Sequence, residues 1–187
     1  MLADASASLA ALLRTAPPGP PAVTAEPPGT PGPDRSGHEE GLGLLPFHTA
    51  EEPHGRSAEW SDVRGPDGRV VARRPPVRRY RVHFLLWAWA PTAQGRLTLL
   101  SAAMTALAAT ETLPAGLCAG SLAGLGTPVR LTVAPADSAP GRLAEVWAAL
   151  GRPAEPALEV VLAADLVPAD VPVDGPPLRV DLRTGPS

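Results

Sequence analysis

The sequence predicts an α+β fold, read as a single domain with a mostly antiparallel sheet of about four to six strands, two helices packed on one face and an N-terminal helix docked nearby. Three observations predict it. Val77 to Ala90, VRRYRVHFLLWAWA, alternates like a long strand. Two more runs, PVRLTVAP at 128–135 and ALEVVLAADL at 157–166, alternate in the same way. Around them, 93–109 and the stretch ending near Leu150 repeat apolar residues at helical spacing.

The Val77–Ala90 run is the predicted centre. Tyr80, Val82, Phe84, Leu86, Ala88 and Ala90 fall on one side, because successive strand side chains point to opposite faces. The other side reads Arg79, Arg81, His83, Leu85, Trp87, Trp89. It begins charged and ends apolar, as expected of a strand that enters half exposed and finishes covered on both faces. The run holds two of the four tryptophans, the only tyrosine and one of the two phenylalanines. A core this poor in aromatics should centre there.

In chain order, residues 2–15 predict a short helix with Ala5, Leu9, Leu12 and Leu13 on one side and Asp4 in the first turn. It ends before Pro17-Pro18 and is too short to stand alone. Residues 16–40 open with APPGPPAVTAEPPGTPGPDRSG and predict a Pro/Gly-rich disordered loop of spacer character. GLGLLPFHT, 41–49, is a weak strand that Pro46 restricts to an edge or a bulge. Residues 50–57 read as a polar loop. Trp60–Arg64 and Arg69–Arg73 flank Gly65-Pro66-Asp67-Gly68, a β-hairpin signal.

Pro91-Thr92 start the 93–109 helix, with Leu97, Leu100, Met104 and Leu107 on one face. An irregular small-residue loop fills 110–127. After the strand at 128–135, Asp137 or Ser138 is the expected cap of a helix with Leu143, Val146, Trp147 and Leu150 as its buried stripe. Gly151 and Pro153 supply the stop. The strand 157–166 closes a body spanning 41–166, and 167–187 reads as a tail with an edge strand at Leu178–Leu182.

Composition narrows the function classes. Proline 25 and glycine 18 are clustered, which implies a folded body with loose insertions. All 16 basic residues are arginine, and lysine, isoleucine and asparagine are absent, a pattern of GC-rich coding rather than of phosphate recognition. A net charge of −3 implies neither nucleic acid nor an anionic membrane as partner. The lone Cys118 suits a reducing compartment, and the start of the chain is no signal peptide, so a cytoplasmic location is expected.

Site chemistry is sparse. His38, His48, His54 and His83 have no partner at metal-ligand spacing, so no metal or other cofactor is expected. The glycines 116, 120, 124 and 126 lack both the order and the lysine of a phosphate loop. Cys118 or Ser121 as a nucleophile would make a small hydrolase, but neither has an elbow motif or an evident base. No catalytic residue is expected. Arg73, Arg74, Arg78, Arg79 and Arg81 form one basic cluster, either a solvated strand entrance or an interface for acidic partners. The proline tract offers a further reading as an adaptor segment.

The order of signals resembles a known family. A Leu-rich first helix is followed by a strand ending FLLWAWAP, a helix containing GRLTLLSAAMTAL, the strand PVRLTVAP, a helix with LAEVWAALG, and a strand after RPAEPALEVV. Arg130-Leu131-Thr132, Trp147 with Leu150-Gly151, and Pro153 with Pro156-Ala157-Leu158 carry the match. These resemble the tail-terminator or cap proteins of phage-tail-like contractile injection systems, over residues 1–15 and 77–166. The Arg-Asn pair usual in that family's early hairpin is missing. The resemblance implies a structural, non-enzymatic protein. It implies a six-fold ring of copies that ends the inner tube and anchors the last sheath ring, with tube and sheath proteins as partners. Another tail-completion or adaptor subunit is the neighbouring reading.

Overall fold

The computed structural model describes residues 1–16, 21–29, 39–52 and 59–173. The elements run α1 (Leu2–Leu13), β1 (Ala22–Thr24), β2 (Gly41–Glu51), β3 (Ser61–Arg64), β4 (Val70–Arg74), β5 (Arg78–Trp89), α2 (Ala93–Ala108), β6 (Arg130–Val133), α3 (Arg142–Ala149), β7 (Ala157–Leu166) and β8 (Val171–Pro172). The α+β class and the mostly antiparallel pairing are as expected. The described residues fall into a larger body (up to 52, and 78–166) and a hairpin unit (59–77 and 167–173).

In the body, five strands lie in the order β1-β2-β5-β7-β6, with β5 at the centre. Only one alternating run is apolar enough on both sides to take that place. Val82, Phe84, Leu86 and Ala88 join Leu42, Leu44, Val160 and Leu162 in one core with Leu9, Leu13, Leu100 and Leu107 of the helices. On the opposite face, Leu85 and Trp87 pack with Trp147 of α3. So α1 and α2 share one face and α3 covers the other. This corrects the expectation that the two later helices lie together. The apolar end of the β5 side bearing Leu85 and Trp87 needs a cover, and Trp147, 1% exposed, supplies it.

Local signals explain most element ends. The Thr92 hydroxyl accepts the Gly95 N–H and starts α2. Within α2 the buried residues are Leu100, Ala103 and Leu107, whereas Leu97 and Met104, expected on the same stripe, are exposed. The α3 helix ends with Gly151 at φ +67°, and the Gly151 and Arg152 N–H groups donate to the Ala148 and Trp147 carbonyls. That is the paired closure a left-handed glycine allows. Ser121 donates through both hydroxyl and N–H to Asp4 and so ties α1 to the turn at Gly120–Leu122.

Two readings change. Residues 16–40, expected to be disordered throughout, contain β1, which pairs in parallel with Gly41–Gly43 of β2. Ala22-Val23-Thr24 is a short apolar and β-branched island among the prolines, and Val23 and Thr24 are buried. The weak strand at 41–49 runs on to Glu51 and lies beside β5. Its irregularity falls where Pro46 foretold one: Pro46 opposes Phe84 and His48 opposes His83, leaving Phe47 as the extra residue of a bulge.

The hairpin unit has β4 between β3 and β8. The turn forms at Gly65–Gly68 as predicted, with Gly65 N–H donating to the Arg69 carbonyl. In the stretch expected to be tail, Val171-Pro172 pairs with Ala72 and Arg73. The expected strand at Leu178–Leu182 lies outside the described residues.

Candidate functional site

The bulge at Phe47 brings His48 against His83, with ring centres 5.1 Å apart. Beside them β7 contributes Glu159, the segment before α3 contributes Asp137 and Ser138, and α3 contributes Arg142; together they line a cleft on the face that α3 covers. His83 and Glu159 are both buried, and His83 Nδ1 stands 2.6 Å from Glu159 Oε1. Arg142 Nη1 donates to the same oxygen at 3.3 Å, and the Ser138 hydroxyl donates to Oε2.

The electrostatics follow from that geometry. Burial alone would raise the Glu159 carboxyl, but the Ser138 hydroxyl, His83 and Arg142 outweigh it and hold it below the ordinary range. Burial pushes His83 down from 6.5 more than Glu159 pulls it up. At neutral pH the pair is therefore an ionised carboxylate accepting from a neutral imidazole, with Arg142 supplying the countercharge. Ser138 touches Glu159 rather than His83, so the order needed to activate a serine is absent. The cluster pins the 134–141 segment and α3 to the sheet.

Asp137 and Ser138, read from sequence as a helix cap, do other work. The α3 helix begins at Arg142 after Gly141. Asp137 is held by Arg81 at 2.9 Å, which lowers its pKa. Glu159 and Arg142 were missed as site residues. The one signal available was an acid, Glu159, inside the apolar run 158–164 of β7.

The arginine cluster is divided. Arg73 and Arg74 lie in the hairpin unit, paired with Asp62 at 3.5 Å and Asp170 at 2.8 Å. In the body, Arg78 pairs with Glu51, and Arg79 with Glu52 and Asp165. Arg81 holds Asp137 as above. Each predicted interface arginine thus has a carboxylate partner in its own chain.

Among the described residues neither nucleophile candidate has a base to activate it. Burial pushes the Cys118 thiol up, against what a nucleophile needs. Ser121 is spent on Asp4, which its hydroxyl, the N-terminal amine and its N–H hold at about 2. Among the described residues there is no cluster of three metal-ligating side chains and no helix long and apolar enough to cross a membrane.

Comparisons with known proteins agree with the fold. The chain superposes over 100% of its length on the sheath/tube terminator, in its extended state, of the extracellular contractile injection system PVC. The TM-score is 0.63 at 18% identity, and 65% of that chain is covered. The tube-terminating cap of the anti-feeding prophage matches over 75% of this chain and 47% of its own, with TM-score 0.50 and 16% identity. The chain therefore spans less than two thirds of either protein. No curated protein sequence gives a significant match. The family model of the Pvc16 N-terminal domain matches residues 4–180, nearly the whole length, and the chain belongs to that family.

Proposed function

We propose that the protein is a structural cap of a contractile injection system: it ends the inner tube, anchors the last sheath ring, and acts as a closed ring of copies, six by resemblance. The observation that carries this is the full-length superposition on a sheath/tube terminator. The tail-terminator family supports it. In this role the protein is a structural component rather than an enzyme and uses no cofactor. It assembles in the cytoplasm with tube and sheath proteins as partners.

Arg73, Arg74, Arg78, Arg79 and Arg81 are proposed to sit at the rim of those contacts. Already paired charges there set partner choice more than affinity.

Electron microscopy of particles from cells with and without the chain tests the reading. Tubes and sheaths of uncontrolled length, or no stable sheath, are expected in its absence. Particles of normal length would overturn it.

A further inference from the structure

Of the three arginines at the start of β5, Arg81 is the one whose carboxylate does not come from the sheet. Arg79 stands opposite Asp165 of β7 and pairs with it. Arg78 and Arg79 also reach Glu51 and Glu52 at the end of β2. Arg81 instead has Ala50 beside it in β2 and Ala163 beside it in β7. Its carboxylate is Asp137, brought in by the segment before α3. Arg81 Nη1 and Nη2 donate to the two Asp137 oxygens at 2.9 and 3.4 Å. That two-pronged bond is how a guanidinium takes a carboxylate of any origin.

Asp137 is carried on a segment that the sheet does not hold by its backbone. Among the described residues, Ser138 N–H donates to the Pro135 carbonyl and Arg142 N–H to the Ala139 carbonyl, both local bonds, and no backbone bond joins 136–139 to a strand. Pro135 is buried and the Ser138 hydroxyl is bound to Glu159, so these two residues fix the segment. The Asp137 side chain between them is 65% exposed, whereas that of Arg81 is 29% exposed on the central strand. Asp137 can therefore turn out into water while Arg81 stays in place.

What Asp137 would leave is a cleft of about 340 Å³ that Arg81 lines together with His48, Arg142, Glu51 and Glu52. The other carboxylates of this cleft are already engaged, Glu51 by Arg78, Glu52 by Arg79, and Glu159 by His83 and Arg142. With Asp137 turned away, Arg81 is the charge in the cleft that lacks a direct partner among the described residues.

We propose that Asp137 is a placeholder on Arg81, and that an acidic side chain of a partner protein takes its place in this cleft. Asp137 itself shows that the site accepts a carboxylate. Holding one of its own keeps the chain from pairing with other acids before the partner arrives, since charge complementarity sets partner choice. The inference deepens the proposed cap and rests on it only for the source of the acidic partner, a tube or sheath protein.

Binding of a fluorescein-labelled oligoglutamate peptide to the purified chain, read by anisotropy, tests it. Asp137→Asn keeps the shape of the side chain and gives up its charge. It is expected to bind the peptide about threefold to fivefold more tightly than the parent, the size of one partly exposed ion pair. Adding Arg81→Lys to Asp137→Asn keeps the positive charge and loses the fork, and is expected to abolish the gain. No gain in Asp137→Asn, or the same gain with Arg81→Lys present, would overturn the proposal. Free glutamate at the same carboxylate concentration is expected to displace little of the peptide; complete displacement would make this a site for small acids and overturn the protein partner.

Should the double variant unfold, the Arg81 Nε–H signal of Asp137→Asn decides. It is expected to shift on addition of the peptide, and an unmoved signal would overturn the contact. Peptide binding as described alongside normal particles in cells lacking the chain overturns the cap reading alone. No gain in Asp137→Asn beside particles of uncontrolled length in those cells overturns this inference alone.

Discussion

The Trp87 indole lies across the backbone of Gly43, its antiparallel partner in β2, and Trp89 lies in the same way over Gly41. A side chain at either glycine would collide with an indole ring. The alternation Gly-Leu-Gly in β2 is therefore the imprint of Trp-Ala-Trp in β5. Gly43→Ala should destabilise by about 1–3 kcal/mol through overpacking. The shift in urea midpoint, followed by tryptophan fluorescence, measures it; an unchanged midpoint would mean the indole is free to move away.

Trp147 is the cover of the second face, and its Nε1 is buried with no hydrogen-bond partner among the described residues. Trp147→Ala should remove about 3–5 kcal/mol. Trp147→Phe should cost clearly less, because the N–H that it deletes has no partner among the described residues. Equal losses in thermal unfolding would show that the indole nitrogen has a partner after all.

Acid should loosen the His83–Glu159 cluster in two steps. The folded pKa of His83 lies below 6.5, so the unfolded chain takes up its proton first and stability falls as pH drops below 6.5. The folded pKa of Glu159 lies below 4.5, so its contribution is complete above 4.5 and is lost as pH falls through the folded value. Urea midpoints taken from neutral pH downward should show both declines. His83→Gln should remove the upper one and leave the lower.

Removing Glu159 leaves Ser138, His83 and Arg142 without their shared acceptor. Glu159→Ala should destabilise by about 1–3 kcal/mol and expose the 134–141 segment. Faster amide exchange in that segment and in α3, with β5 and β7 unchanged, is the expected signature. Uniform loss of protection would place the cluster in the global core instead.

Cys118 should react slowly with thiol reagents at neutral pH, because burial keeps it protonated. A rate above that of free cysteine would reopen the hydrolase reading.

The sequence by itself determined the elements whose signal is local. The strand read at Val77–Ala90 is β5, Arg78–Trp89, and ALEVVLAADL is β7 with both ends as read. The hairpin turn, the Thr92 start of α2 and the Gly151 stop of α3 were legible because turn and cap chemistry acts within a few residues. Only the tertiary structure decided what depends on register and on which face is covered. Val23 becomes a buried strand residue because Leu42 stands beside it, not because its proline-rich surroundings favour a strand. Periodicity alone did not tell the packed side of α2 from the side that bears Leu97 and Met104. Asp137 left its expected cap for Arg81, 56 residues away, and Glu159 found His83 across 76. Such partners meet only when distant strands align, and a sequence pattern with a reach of a few residues carries no record of that alignment.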